Sequence, residues 1–149
     1  MSIEVASIKT GGKVSIRGLK RKAEKILEIL KQNCSELSIA LVGNREIQEL
    51  NAGYRKKNEP TDVLSFPSGE TLPTGMRILG DVVISVEQAG KQARKRRKTL
   101  EEELESLLTH GILHLLGYDH ERSEKEAKIM RGLEKKILRA LCEMKGLRV

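Results

Sequence analysis

Aromatic residues are nearly missing: 149 residues include no Trp, one Phe and two Tyr, so the core must be built from Leu, Ile and Val. Cysteine is almost as scarce. Cys34 and Cys142 exclude a disulfide framework and a cysteine metal centre, and read as small buried hydrophobes of a reducing compartment. The N-terminus has no unbroken apolar run, so nothing resembles a signal peptide. No window approaches the ~18 apolar residues of a membrane span. A soluble, cytoplasmic protein with no membrane partner is expected.

What is abundant is charge. A third of the residues are charged, the formal net charge is +7 and the pI is near 9.5. An excess of Lys and Arg favours a polyanionic partner over an acidic one. The sharpest concentration is Lys91 followed by Arg94, Lys95, Arg96, Arg97 and Lys98, with no acid between them. Such a run is either a solvated helix face or a grip on phosphate backbone. Having no aromatic residue within it, the run would hold RNA or DNA without reading bases.

The length suits one domain spanning 1–149, with no repeats and no linker. In chain order, Ser2 to Ile8 alternates as a strand and ends at a Gly11-Gly12 turn. Leu19, Ala23, Ile26, Leu27 and Leu30 place an amphipathic helix over Arg17 to Asn33 with a basic outer face. Leu37 to Val42 is a short strand, and Asn44 is an N-cap for a helix whose stripe is Ile47, Leu50 and Tyr54. Pro60 and Pro67 bracket an edge strand of about six residues, followed by a Gly/Pro/Thr loop from Ser68 to Arg77. Ile78 to Ser85 is a strand buried on both faces at Val82-Val83-Ile84. Thr99 and Glu102 form a capping box for a helix buried by Leu100, Leu104, Leu107, Leu108 and Leu115. Ser123 and Glu126 form another, opening a terminal helix with the stripe Ala127, Met130, Leu133, Ile137, Leu141 and Met144, ended by Gly146.

All three histidines fall between His110 and His120. His110 and His114, four apart, share one helix face. Gly117 suits a left-handed helix end that reverses the chain and returns His120 towards the pair. Three neutral imidazoles leave the fourth position of a tetrahedral Zn²⁺ open, as a catalytic site requires, with one ion per chain; such sites also take other divalent ions. The spacing His-x-x-x-His-x-x-Gly-x-x-His is that of metzincin metallopeptidases. Those carry Glu after the first histidine as general base, whereas Gly111 offers no group to take a proton, which disfavours peptidase chemistry. A glycine at that point suits close approach of a neighbouring strand.

Two blocks together resemble the YbeY family of endoribonucleases, also called ribosomal RNA maturation factors. One runs from Leu50-Asn51 through Tyr54-Arg55 to Thr61-Asp62-Val63-Leu64-Ser65-Phe66-Pro67; the other is Thr109 to His120. Gly111 belongs to that family's pattern. The resemblance implies an α+β, zincin-like fold: one mixed sheet of about four strands packed with about five helices. It implies His110, His114 and His120 as metal ligands and Arg55 as a residue important for activity. It also implies single-strand-specific cleavage in ribosomal RNA processing, at the 3′ end of small-subunit 16S RNA, and in ribosome quality control. The expected partners are then single-stranded RNA, ribosomal RNA and the small subunit, with no cofactor beyond the metal.

On this reading Arg55 holds the scissile phosphate, its planar fork matching the anion. Arg94 to Lys98 contribute a track for the flanking strand. Asp119, beside a ligand, and Asp62, at a strand start, are the candidate general bases; Asp119 equally suits orienting a histidine, and Asp62 a turn. The alternatives are a metallopeptidase-like hydrolase, and a non-catalytic ribosome assembly factor whose zinc is structural.

Overall fold

The computed structural model describes residues 1–7 and 14–146, so the Gly11-Gly12 turn lies outside the described residues. Among these are four strands and five helices: β1 (Ser2–Ser7), α1 (Ile16–Ile29), β2 (Ser35–Val42), α2 (Asn44–Arg55), β3 (Val63–Thr71), β4 (Arg77–Ser85), α3 (Val86–Arg96), α4 (Leu100–Leu115) and α5 (Glu124–Gly146). The sheet order is β1-β2-β4-β3, with β1, β2 and β4 parallel and β3 antiparallel to β4 along one edge. This is the mixed α+β sheet expected.

The sheet is covered on both faces, which is why Val82, Val83 and Ile84 are all buried. Ile39, Leu41, Val82 and Ile84 join the main core with Leu27 of α1, Leu108 and Ile112 of α4 and Met130 and Ile137 of α5. Val42, Leu64 and Val83 make a smaller cluster with Ile47 of α2, closed by Leu50 and Phe66. Thus α2 packs mainly on this smaller cluster, touching α3 where Glu87 accepts the Asn44 N–H (3.0 Å), and its C-terminal end reaches the edge strand.

Several local expectations give way. The first helix stops at Ile29 because Lys31 turns left-handed (φ 58°). Its outer face is basic as expected, with Arg17, Lys20 and Arg21 exposed, but one lysine turns inward. Lys22 is 5% exposed and binds Glu101 (2.6 Å) and Glu105 (3.0 Å) of α4, while Lys145 of α5 reaches the same Glu105 (2.6 Å). Three helices are thereby cross-linked through buried charge, and a buried cation is tolerable only when paired in this way. Asn44 is the first residue of α2 and not its N-cap. Gly43 is the cap, its N–H donating to the Glu46 carboxylate (3.1 Å), while the Asn44 amide oxygen accepts from Ser85 Oγ (2.7 Å).

Pro67 does not end β3. The strand runs on to Thr71 across a register shift between Pro67 and Glu70, so the Ser68 to Arg77 loop shrinks to a hairpin turn in which Leu72 donates to Met76 O (2.8 Å). Proline lacks an N–H, and an edge strand has a side on which none is needed. Gly69 (φ 73°) and Gly75 (φ 89°) supply the positive angles of bulge and turn. Cys34 and Cys142 are both exposed and not buried hydrophobes. The terminal stripe is as expected, with Met130, Ile137 and Leu141 fully covered.

Candidate metal centre and active-site cavity

Helix α4 is set up to carry histidines late in its length. Thr99 and Glu102 exchange reciprocal hydrogen bonds (3.1 and 3.0 Å) at its start, and three glutamates lie in the first turn, where the helix dipole favours them. Its leucines fix it against the sheet. At Gly111 the approach is so close that a Cβ would stand 2.6 Å from Val82 Cγ1, and the Gly111 carbonyl accepts from Ser65 Oγ of β3 at 2.9 Å. The next turns therefore point His110 and His114 away from the sheet, along the edge strand.

Gly117 ends the helix with φ 93°; its N–H donates to His114 O (3.0 Å), and the Tyr118 N–H to Leu113 O (3.1 Å). These bonds make the left-handed helix stop anticipated from the glycine. Asp119 then accepts the Glu121 N–H at 2.8 Å, holding the turn that returns His120. One nitrogen from each of His110, His114 and His120 lies within 4.8 Å of the others. The Nε2 atoms of His110 and His114 are 3.1 Å apart. Two nitrogens at the zinc bond length of about 2.0–2.1 Å, set tetrahedrally, would be about 3.3 Å apart. The donor set and spacing therefore fit a divalent ion, and the cluster could hold one. Burial, then the neighbouring charge of His110, holds His114 below the ordinary imidazole range, so at neutral pH it is in the uncharged form that binds metal.

A residue the sequence did not single out completes the cluster. The carboxylate of Glu134, on the inner side of α5, lies 3.8 Å from His110 Nδ1. That is beyond hydrogen-bond length, but it sets the carboxylate beside the ring nitrogen opposite the clustered one, the place from which a carboxylate would orient a liganding imidazole once drawn closer. Glu134→Gln is expected to weaken Zn²⁺ retention by about tenfold, read by competition with a chromophoric chelator. Unchanged affinity would leave Glu134 a surface neighbour only.

The histidines line a cavity of about 570 Å³. The rest of its lining is Tyr54 and Arg55 at the end of α2, residues 61–67 at the start of β3 and just before it, and Asp119 and Glu121 beside His120. The segment joining α2 to β3 is pinned from beneath. Asn51 is 1% exposed and donates from Nδ2 to Glu59 O at 2.9 Å, and Lys56 (φ 57°) terminates the helix. Arg55 is exposed, and among the described residues no carboxylate pairs with its guanidinium.

Both candidate bases line the cavity, and both carboxylates are committed. Asp62 accepts from the Val63 N–H (2.8 Å) and from Gln92 Nε2 (3.3 Å). Asp119 holds its turn, and that backbone hydrogen bond from Glu121, with Arg122 nearby, keeps its carboxyl below the usual range. Asp119 is thereby a weakened proton acceptor. The Arg94 to Lys98 cluster is not among the residues that line the cavity; it ends α3 and precedes α4. Within it Arg96 is spent on the fully buried Glu103 (2.8 Å), while Arg94, Lys95, Arg97 and Lys98 stay exposed.

Comparison with known proteins gives a consistent picture. The family described as Endoribonuclease YbeY matches residues 5–142. The Endoribonuclease YbeY of Sulfurihydrogenibium sp. is 53% identical over 127 residues, covering 85% of this chain and 84% of that protein. The one from Aquifex aeolicus is 51% identical over 123 residues, covering 83% and 81%. The solution structure of TM1509 from Thermotoga maritima superposes with a TM-score of 0.70 at 32% identity, over 98% of this chain and 93% of that one.

Proposed function

The chain belongs to the YbeY family of endoribonucleases, and from that premise we propose that it cuts single-stranded RNA at the three-histidine centre. Its place would be the cytoplasm, in ribosomal RNA maturation at the 3′ end of small-subunit 16S RNA and in ribosome quality control. The observation that supports this best is the shared cavity: three imidazoles converge in it, and Arg55, without a carboxylate partner among the described residues, lines it as well.

Zn²⁺, the default ion for three imidazoles, would supply Lewis acidity to the phosphoryl group and lower the pKa of water at the site. His110, His114 and His120 would hold it. Arg55 does what its geometry allows: its planar donors take two phosphoryl oxygens at once and meet the charge that develops there. Among the residues lining the cavity Arg55 is the permanent cation, beside Asp62, Asp119 and Glu121, so an anionic strand would be held there by Arg55 and by the ion at the histidines. A single strand can splay its bases and lower one phosphate into such a recess, which a stacked duplex resists. The exposed cations Arg94, Lys95, Arg97 and Lys98 lie outside the cavity lining. They suit the flanking backbone, and through it the small ribosomal subunit, giving salt-sensitive grip without sequence choice.

Arg55→Ala tests the assignment. Its side chain is exposed, so the variant should fold as the parent does. Turnover of a single-stranded RNA by the zinc-loaded protein should fall roughly 10²- to 10³-fold, as when one charge-stabilising donor is removed. Full turnover by a folded Arg55→Ala would remove Arg55 from the reaction.

A further inference from the structure

We infer that Tyr54, resting on Phe66, is the platform on which a nucleobase next to the scissile phosphate stacks. Helical periodicity places Tyr54 on the buried stripe with Ile47 and Leu50, yet it is 72% exposed while Ile47 is wholly covered. Leaving so large a ring in water forgoes the burial that makes tyrosine useful in a core. The ring is not loose, however. Its centroid lies 4.9 Å from that of Phe66 at an interplanar angle of 59°, and Phe66 packs against the small core of Val42, Ile47, Leu64 and Val83. The pair thus forms a supported aromatic step.

Its position gives the step a purpose. Tyr54 and Phe66 line the same cavity as the three histidines, and Tyr54 immediately precedes Arg55. The chain's other aromatic residue, Tyr118, packs against the main core. A sequence this poor in rings has therefore placed two of its three aromatics at the site, one of them open to solvent. When a strand bends to bring a phosphate to Arg55 and the histidines, the adjoining base loses its stacking neighbour. A fixed aromatic face replaces that neighbour whichever base it is.

This rests on the ribonuclease reading, and the test separates the two. Holoprotein, Tyr54→Ala and Tyr54→Phe would each be titrated with a single-stranded RNA of one cleavage site. Copies carrying one abasic residue at each position flanking the cut would be titrated in parallel. Tyr54→Ala should bind the intact RNA about tenfold more weakly, and Tyr54→Phe close to the parent. At one flanking position the abasic RNA should cost the parent a similar factor and cost Tyr54→Ala nothing more. Parental affinity in Tyr54→Ala, or abasic losses that are the same in parent and Tyr54→Ala at every position, would overturn the platform while leaving the ribonuclease standing. A parent that neither binds nor cleaves the RNA would overturn both. Loss of an unrelated protein contact in Tyr54→Ala, with RNA binding unchanged, would mark the exposed ring as a protein-docking residue instead.

Discussion

Replacing His114 with Ala is expected to lower RNA cleavage at least a thousandfold while the protein remains folded. His114 is one of the three clustered imidazoles, with its ring centroid 4.5 Å from that of His110 and 5.9 Å from that of His120. Two imidazoles are too few to retain a divalent ion at neutral pH against solvent, so the whole Lewis-acid contribution goes with the side chain. That contribution is several kcal/mol, and three powers of ten in rate correspond to about 4 kcal/mol. The fold does not depend on it, because α4 is held by Leu104, Leu108, Ile112 and Leu113, all at 3% exposure or less. Metal content, cleavage rate, RNA affinity and thermal midpoint should be measured on one preparation. The expected pattern is no bound metal, no cleavage, near-parental RNA affinity and a midpoint close to that of the metal-free parent. Cleavage at the parental rate by a metal-free variant would place the chemistry elsewhere. Unfolding of the parent on metal removal would favour the assembly factor with a structural zinc.

How much of this was legible in the sequence follows from how local each signal is. The histidine centre is carried by an i, i+4 pair, a helix-stopping glycine and a short return, all within eleven residues, and it was readable residue by residue. The buried β4 and the two-sided sheet were readable because a continuous run of Val and Ile has no polar face to turn outward. Arg55 was marked only by the family resemblance, since an arginine ending a surface helix has no pattern of its own. Glu134 gave no signal at all: its meeting with His110 spans 24 residues and depends on how α5 packs across α4. Tyr54 was misplaced because helical periodicity identifies a face but not where that face runs off the sheet. The first turns of α2 lie over Leu64 and Val83, and the last projects beyond them. The burial of Lys22 has no sequence signal, since its acidic partners Glu101 and Glu105 lie on another helix.

Gly111→Glu would install the glutamate that metallopeptidases of the same histidine spacing use, and it is expected to destabilise the protein strongly rather than change the reaction. Even a Cβ at this position would lie 2.6 Å from Val82 Cγ1, 3.2 Å from Val82 Cγ2 and 3.4 Å from Ser65 Oγ. Val82 is fully buried in the sheet and cannot step aside without moving β4. Overpacking by a methyl alone costs about 1–3 kcal/mol. A carboxylate forced into the same space without a partner adds a desolvation penalty, for a combined loss above about 4 kcal/mol. Set against a typical total of about 5–15 kcal/mol, that lowers the thermal midpoint by roughly 10 °C or more in a chain of this size. Circular dichroism melting checks this directly. Gly111→Ala should show a smaller fall, and Val82→Ala in that background should restore part of it, a non-additivity expected only if the two side chains compete for one space. A Gly111→Glu protein that melts like the parent would show that the helix can stand off the sheet, reopening the peptidase reading that the glycine closes. If instead the midpoint falls as expected, the missing glutamate is a consequence of packing: this α4 lies too close to β4 to carry a side chain there. A centre of this geometry must then act through other groups that line the cavity, Arg55 and Tyr54 among them.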